Sequence, residues 1–433
     1  MADQANSGWT KGPVPQPGFF KPPTDFDSLP DGTRHENIIF LAEDGAPCQG
    51  TLYSKGGERT VLCITHPRAD LSRHYMTPAF LDAGYAVFGF THRHGTNDYP
   101  LQHEAMLMDI AGAIRMLKAD RGFDKTVLFA NSGGGGIFGF YQGQAETQPP
   151  GRLTHTPGGD PLDLNNAELT PADGLILLAT PFGEPAIVAR AIDPSVTDET
   201  DPLSCDPALD MYSSANGYRA PPESSRYSEE FRARYQAAQI ARVARIDAYA
   251  RSLIAEQSRW RAQMRDPGFA KLPVDERSYI MRRAVDTRPV RVYRGTASLV
   301  DCDLSIFPSK RAVGSFLTFD TQAANYARGA AGHLKSPRAW LSAASGLSSR
   351  SSLRYGLPHI RVPTAILCYT ADRGVYLDDV AEMLALSAAS DKLLHHVDGD
   401  HFGLPIDGVA ERNPRETVAK ILADWLGQRF PGR

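Results

Sequence analysis

Residues 125–136 read Lys-Thr-Val-Leu-Phe-Ala-Asn-Ser-Gly-Gly-Gly-Gly, so a β-branched and aromatic run ends at Ser132 and is followed by four glycines. The next residues, 137–144, are compatible with a helix. A serine at such a junction is held at the tip of a sharp, strained turn. Only small residues two positions before and after it, here Ala130 and Gly134, avoid a collision across that turn. The turn also directs the N–H of Gly133 toward the oxyanion that forms if the serine attacks a carbonyl.

The same pattern is also typical of an ordinary connection between a strand and a helix. A capping serine in a flexible turn explains it equally well, and glycines allow the start of a helix to pack closely on a sheet. A nucleophilic serine needs a base and an acid from elsewhere in the chain. The other strand ends therefore decide between the two interpretations.

The composition is that of an ordinary globular protein and excludes several classes of function. The 433 residues are 42% hydrophobic and 22% charged, with a net charge of −4, which gives no electrostatic reason to expect a nucleic-acid partner. The sequence has no apolar run of the roughly 18 residues that a membrane span needs, and its polar, proline-rich start does not resemble a secretory signal. The five cysteines are dispersed, which favours free thiols in the cytoplasm over disulfides or a metal site.

Strand and helix patterns alternate along most of the chain, which predicts an α/β protein with a mostly parallel sheet flanked by helices. The predicted divisions are an N-terminal arm (1–35), a first core part (36–185), an inserted cap (186–350) and a second core part (351–433). The predicted strands are 37–41 and 50–53, joined as a hairpin, then 60–65, 85–91, 126–131, 174–179, 364–369 and 392–397. The predicted helices of the core are 74–83, 102–119, 137–144, 375–387 and 413–428.

The alternation stops after Pro181, which predicts a large insertion over the edge of the sheet where ligands bind. The chain is polar and irregular as far as residue 218, and residues 289–293 then predict a strand. Residues 228–264 predict a long helix. Its apolar positions include Phe231, Tyr235, Ile240, Val243, Ile246, Ala250, Leu253 and Ile254.

Residues with catalytic potential follow the ends of several predicted strands. The carboxyl ends of parallel strands meet at one edge of the sheet, where catalytic groups collect. Ser132 ends one strand, Asp372 follows the strand at 364–369, and His401 follows the strand at 392–397. A serine hydroxyl needs a base, histidine is that base at neutral pH, and a carboxylate must fix the histidine tautomer. The order serine, aspartate, histidine therefore predicts a catalytic triad.

This arrangement resembles the α/β-hydrolase fold superfamily over about residues 36–185 and 360–433. The resemblance implies that fold, with a mainly helical cap inserted after the sixth strand. In two places the sequence departs from the usual pattern. Ala130 replaces the glycine two residues before the serine, and His66-Pro67-Arg68 stands where the superfamily usually has His-Gly-x. Because Pro67 has no N–H, the resemblance implies oxyanion donors from Gly133 and Arg68, with Ala69 as the alternative to Arg68.

The identity of the acid has competitors close to the predicted base. Asp398 and Asp400 adjoin His401 in the sequence, but an aspartate so near usually caps its own turn. Asp378 lies a few residues beyond Asp372. We predict Asp372 as the acid because it directly follows a strand.

Contacts to the substrate are less sharply predicted. His66 either contacts the substrate or holds its loop by hydrogen bonds, and His92 either contacts the substrate or lies in a solvated loop. Nine arginines against four acidic residues between 226 and 265 indicate either an anionic substrate or a solvated helix face.

The resemblance implies a cofactor-free serine hydrolase that cleaves a carboxylic ester, lactone or thioester of a small to medium organic molecule through an acyl-enzyme on Ser132. The triad does not determine the bond, so an amide or a carbon–carbon bond next to a ketone stays an alternative. A non-catalytic ligand-binding protein of this fold is a third interpretation, which an aligned base argues against. The expected partner is the small-molecule substrate, with neither nucleic acid nor membrane, and association into a homodimer is left open.

Overall fold

The centre of the protein is an eight-stranded sheet. The computed structural model describes residues 25–97, 99–285, 288–326 and 333–433. Most of the predicted arm lies outside these residues, and Phe26, in its described part, is buried. The strands are β1 (Arg34–Leu41), β2 (Pro47–Ser54), β3 (Thr60–Ile64), β4 (Ala86–Thr91), β5 (Lys125–Asn131), β6 (Gly174–Leu178), β7 (Val290–Arg291), β8 (Leu334–Lys335), β9 (Thr364–Tyr369) and β10 (Lys392–Val397).

The order of the strands in the large sheet is β1-β2-β4-β3-β5-β6-β9-β10. The first two form the predicted hairpin, with Asn37 opposite Thr51, and β2 also pairs antiparallel with β4. All other neighbours are parallel. The prediction of a mostly parallel sheet is therefore confirmed, and the carboxyl ends of β3, β5, β6, β9 and β10 share one edge.

The apolar runs of the central strands are buried on both faces, as continuous runs without alternation predict. Every residue of β3, β6 and β9 is buried. Successive residues alternate between two hydrophobic clusters, with Val61 and Cys63 in one and Leu62 and Ile64 in the other. Each face of the sheet therefore needs its own layer of helices.

Helices supply these two layers, and further helices, including one of 36 residues, lie in the insertion. They are α1 (Thr77–Asp82), α2 (His103–Arg115), α3 (Gly134–Glu146), α4 (Glu184–Ala191), α5 (Glu229–Met264), α6 (Val274–Val285), α7 (Leu299–Cys302), α8 (Thr321–Tyr326), α9 (Pro337–Ala339), α10 (Leu353–Gly356), α11 (Leu377–Leu386) and α12 (Pro414–Gly427). Residues of α1 and α12 lie in one cluster, and residues of α2, α3 and α11 lie in the other. The flanking helices of the predicted fold are thus confirmed.

Helix α3 begins three residues before the predicted start, inside the glycine run. A Cβ on Gly134 would lie 2.6 Å from the carbonyl oxygen of Thr65, and one on Gly136 would lie 2.7 Å from the Cα of Gly183. No other residue type fits so close to a neighbouring backbone. Tertiary packing therefore outweighs the low helix propensity of glycine at this point.

The insertion leaves and rejoins the sheet between two neighbouring strands. Strands β6 and β9 pair in parallel, with Leu175 opposite Thr364, so the connection between them is carried outside the sheet. The long helix α5 is confirmed, and the hydroxyl of Ser228 caps it by accepting the N–H of Phe231 at 3.1 Å. The domain boundaries themselves stay predictions.

Three details of the insertion differ from the sequence prediction. Ile240 is 58% exposed, and Gln239 is buried in its place because its amide donates to the carbonyls of Arg190 and Ile192. Helix α4 lies within the stretch expected to be irregular. The strand predicted at 289–293 is only the two residues of β7, which pair with β8 in a separate small sheet. Within the described residues, no helix is long and apolar enough to cross a bilayer.

Candidate active site

The three residues predicted as a triad meet at the carboxyl edge of the sheet. Ser132 follows β5, Asp372 follows β9 and His401 follows β10. The Ser132 Oγ lies 3.1 Å from the Nε2 of His401. The Nδ1 of His401 lies 2.9 and 2.8 Å from the two carboxylate oxygens of Asp372. The hydroxyl, the imidazole and the carboxylate thus form one continuous hydrogen-bonded chain.

The backbone of Ser132 has the strained conformation expected at the tip of the turn. Its φ of 50° is in the left-handed region that residues with a side chain seldom adopt. Its N–H donates to the carbonyl of Leu178 at 3.3 Å, and its carbonyl accepts the N–H of Gly135 at 3.2 Å. Bonds to β6 on one side and to α3 on the other hold the strained residue in place.

The surroundings of His401 suit a general base. The Asp372 carboxylate accepts the Nδ1 proton, which leaves Nε2 to accept the proton of the serine hydroxyl. Burial of the ring acts to lower its pKa, but the charge and hydrogen bonds of Asp372 prevail and raise the pKa of His401 above its ordinary value. Asp372 stabilises the imidazolium in this way.

Asp372 is itself held rigidly. Its Oδ1 accepts the backbone N–H of Gly374 at 2.7 Å and of Val375 at 3.0 Å, and its side chain is buried. Both of these N–H groups belong to the loop that follows β9. They fix the carboxylate so that both oxygens reach the imidazole.

The competing aspartates have other partners. Asp400 accepts the N–H groups of Phe402 and Leu404 and so caps its own turn, as the sequence predicts. The expectation that Asp398 also caps its own turn is wrong, because its carboxylate binds the ammonium of Lys310 at 2.7 Å and the hydroxyl of Thr370 at 2.5 Å. Asp378 is exposed in the first turn of α11. Of the four aspartates, Asp372 is the one hydrogen-bonded to His401.

Gly133 lies between Ser132 and the first residue of α3. Its N–H is at the N-terminus of a 13-residue helix, where the helix dipole favours negative charge. A Cβ on Gly133 would lie 2.7 Å from the Nε2 of His66. The glycine is therefore required because the imidazole of His66 lies directly against its backbone.

The loop after β3 differs from the expectation for Arg68. The N–H groups of Arg68 and Ala69 both donate to the Nδ1 of His66, each at 3.0 Å. Neither N–H is therefore available as the second oxyanion donor that the resemblance implied. The alternative that His66 holds its loop by hydrogen bonds agrees with these contacts.

The structure contradicts one of the two interpretations of His92, namely that it lies in a solvated loop. It is buried, its Nε2 lies 3.0 Å from the carbonyl oxygen of Pro67, and its Nδ1 accepts the N–H of His94 at 3.2 Å. It therefore contacts the His66 loop from behind and does not lie in solvent. The sequence pattern, a histidine directly after a strand, did not distinguish contact with a neighbouring loop from contact with the substrate or with solvent.

Two aromatic rings pack against the base, one from the insertion and one from the residue that follows the base in the chain. The ring of Phe316 packs on His401 with 4.7 Å between centroids, and the ring of Phe402 lies 5.2 Å away. The guanidinium of Arg373 lies 4.5 Å above the ring of Phe319. The segment 314–319 of the insertion thus packs against the base and against Arg373, the residue after the acid, a contact that sequence reasoning did not find.

Two arginines of the long helix α5 bind other residues of the insertion. The guanidinium of Arg242 is buried and binds Glu199 and the carbonyls of Asp193 and Tyr293. Arg245 binds the same glutamate. These contacts favour a structural role for these arginines over recognition of an anionic substrate. Within the described ranges, no group of three or more histidine, cysteine, aspartate or glutamate side chains could hold a metal ion.

No family model matches this sequence, and no curated protein matches it. Among solved structures, the esterase domain of a Rhodothermus marinus protein is 11% identical with a TM-score of 0.41, over 91% of this chain and 98% of that one. The Pyrococcus furiosus esterase Pf2001 is 10% identical with a TM-score of 0.41, over 95% and 99%. An Exiguobacterium antarcticum esterase is 16% identical with a TM-score of 0.37, over 90% and 99%. Likenesses this distant say nothing about the reaction of this protein.

The architecture of the chain itself is sufficient to assign its fold. The parallel part of the sheet follows the order β4-β3-β5-β6-β9-β10, and the strained serine comes directly after β5. The insertion follows β6, the sixth strand, and the aspartate and histidine follow the last two strands. This chain has the α/β-hydrolase fold.

Proposed function

We propose that the protein is a serine hydrolase that cleaves carboxylic esters, lactones or thioesters of small to medium organic molecules. One observation carries this proposal, namely the hydrogen-bonded chain from Ser132 through His401 to Asp372. A protein that only binds ligands has no need of a buried carboxylate aligned with an imidazole and a strained serine. That alignment favours catalysis over the non-catalytic alternative.

The first half of the reaction forms an acyl-enzyme. His401 accepts the hydroxyl proton at Nε2 while the Oγ of Ser132 forms a bond to the carbonyl carbon of the substrate. The resulting oxyanion is stabilised by the N–H of Gly133 at the start of α3. When the bond to the leaving group breaks, His401 gives its proton to the departing oxygen or sulfur.

The second half returns the enzyme to its starting state. Water gives a proton to His401 and attacks the acyl carbon, and the bond to Ser132 breaks as the serine regains its proton from the imidazole. Every proton and electron pair in this cycle is supplied by the triad, the substrate and water. The proposed mechanism therefore needs no cofactor.

We expect the insertion to limit the size of the substrate, because part of it packs against the base. The segment 314–319 covers His401 with an aromatic ring, which shields the base from bulk water. A base covered in this way suits a small-molecule substrate better than a folded protein. The triad fits amides and some carbon–carbon bonds as well, and we place ester-like bonds before these because an alkoxide or thiolate leaves more readily than an amine or a carbanion.

Hydrolysis of a panel of p-nitrophenyl esters, thioesters and lactones tests this proposal. We expect the purified protein to hydrolyse at least some short-chain members, and we expect Ser132→Ala to lose this activity. Asp398→Asn is the control, since its carboxylate binds Lys310 and Thr370. Hydrolysis that survives in Ser132→Ala would show that the serine is not the nucleophile.

A further inference from the structure

We propose that the imidazole of His66 is the second oxyanion donor, and that its Nε2–H acts beside the backbone N–H of Gly133. This inference rests on the proposed serine hydrolase reaction. It assigns to a side chain the task for which the fold usually employs a second backbone N–H. The oxyanion would then be bound by one donor from the start of α3 and one from the loop after β3.

The hydrogen bonds of the ring determine which nitrogen carries the proton. Two backbone N–H groups, from Arg68 and Ala69, donate to Nδ1 at 3.0 Å. A nitrogen that accepts two N–H groups has its lone pair in use and carries no proton. The neutral ring must then hold its proton on Nε2, and Nε2 is a donor.

The position of Nε2 places this donor beside the other one. A Cβ on Gly133 would be 2.7 Å from Nε2, so the ring touches the backbone of the residue whose N–H is the first donor. His66, Ser132 and Gly133 are partly exposed, whereas His401 and Asp372 are buried. The space that the three partly exposed residues share is where a substrate carbonyl bound to Ser132 would lie.

The surroundings of His66 keep the ring neutral, which suits a donor that does not take part in proton transfer. Loss of hydration, followed by the positive charge of Arg68, lowers the pKa of His66 to about 3, although Glu184 acts in the opposite direction. At neutral pH the ring therefore does not compete with His401 for the serine proton. A neutral donor that is already in position can stabilise the negative charge that develops on the oxyanion.

The loop that carries His66 is held on its other side by a second histidine, which suits a loop that must keep a donor in place. The buried His92 lies with its Nε2 3.0 Å from the carbonyl oxygen of Pro67, the residue between His66 and Arg68. His92 thereby fixes the loop that carries the donor. We regard His92 as a positioning residue.

Two amide substitutions separate the two functions of the ring. In His66→Asn the side-chain oxygen takes the place of Nδ1 and can still accept the N–H groups of Arg68 and Ala69, but the donor at Nε2 is lost. In His66→Gln the amide N–H reaches the place of Nε2, but the acceptor at Nδ1 is lost. Both variants therefore introduce an amide, but His66→Asn keeps only the acceptor of the imidazole and His66→Gln keeps only its donor.

We expect His66→Asn to keep a melting temperature close to that of the wild type while kcat falls about 10²- to 10³-fold, the usual effect of losing one oxyanion donor. KM should change little, because the donor acts in the transition state. We expect His66→Gln to retain more activity than His66→Asn. A folded His66→Asn variant with the wild-type kcat would overturn the inference.

A measurement on the wild type keeps the inference testable if the variants do not fold. A trifluoromethyl ketone forms a hemiketal with the serine and places an oxyanion in the site. With histidine labelled by ¹⁵N, we expect a neutral His66 whose Nε2 proton resonance moves downfield when this inhibitor binds. A His66 ring protonated on Nδ1, or an Nε2 proton unmoved by the inhibitor, would refute the inference.

Failure of this inference can be told apart from failure of the proposed function. If the wild type hydrolyses esters, Ser132→Ala does not, and His66→Asn is as active as the wild type, only the role of His66 is wrong. If the wild type hydrolyses no member of the panel and does not react with the ketone, the serine hydrolase proposal itself is wrong.

Discussion

The Nε2 of His401 lies 3.1 Å from the Oγ of Ser132 although the two residues are 269 positions apart in the chain. The sheet brings them together, because β5, β6, β9 and β10 are consecutive neighbours and their carboxyl ends share one edge. The insertion between β6 and β9 does not disturb this geometry, since it leaves and rejoins the sheet at adjacent strands. The sheet therefore positions Ser132 and His401, and the insertion can shape the access to them without moving either residue.

The carboxylate of Asp372 is predicted to be essential for the rate. Asp372→Asn keeps the shape of the side chain but removes the charge that stabilises the imidazolium, and we expect kcat/KM to fall by about 10⁴-fold. Steady-state kinetics on the best ester of the panel measures the loss. Asp398→Asn is the matched control, because its exposed pair with Lys310 contributes little, and we expect less than about a threefold change. Equal losses in the two variants would contradict the assignment of the acid.

The pH dependence of kcat/KM should report the titration of His401. The imidazole is a base only when neutral, and its pKa is raised above the ordinary 6.5, so activity should fall as the pH drops on a limb centred above pH 6.5. Burial acts against this rise, Asp372 and Asp400 favour it, and Arg373 opposes it. A wild-type limb centred below pH 6.5 would contradict this account of the base.

Phe316 offers a second test of the same titration. Its ring covers His401, and burial lowers the pKa of that imidazole. Removing the ring in Phe316→Ala should therefore move the acid limb to higher pH, whereas Asp372→Asn should move it to lower pH. Profiles of kcat/KM between pH 5 and 9 distinguish the two directions, and shifts of the same sign would count against the proposed origin of the raised pKa.

The glycines at the start of α3 should be intolerant of alanine for reasons of packing. A Cβ on Gly136 would lie 2.7 Å from the backbone of Gly183, so we expect Gly136→Ala to lower the free energy of unfolding by about 1–3 kcal/mol. Gly427, at the end of α12, has no atom within 4 Å of its Cβ position, and Gly427→Ala should raise stability by up to about 1 kcal/mol. Urea unfolding of both variants measures the difference, and a stabilising Gly136→Ala would contradict the packing argument.

The sheet and the meeting of Ser132, Asp372 and His401 at its edge could be predicted from the sequence because each depends on a local pattern. The strands of the parallel sheet are short apolar runs, and the triad residues each follow one of them, so the rule that carboxyl ends share an edge is sufficient to bring them together. Asp400 shows the same logic, since an aspartate beside the histidine was expected to cap its own turn and does.

Other features could not be predicted because they depend on contacts between distant segments. The roles of Arg68 and His92 are determined by the imidazole of His66 and the carbonyl of Pro67, and no local pattern shows that these atoms are occupied. Ile240 fits the apolar spacing of α5, but Gln239 is buried in its place because two carbonyls of the α4 region need a donor. The segment 314–319 gave no clear pattern, and its contact with His401 depends on the path of the whole insertion.

Reaction with a fluorophosphonate probe tests the central claim most directly, because the probe traps an activated serine without turnover. We predict that one equivalent of probe modifies the wild type, that peptide mapping places the adduct on Ser132, and that labelling is lost in Ser132→Ala and strongly slowed in His401→Ala. An adduct on another residue, or a folded wild type that is not modified, would contradict the proposal that Ser132 is a nucleophile activated by His401.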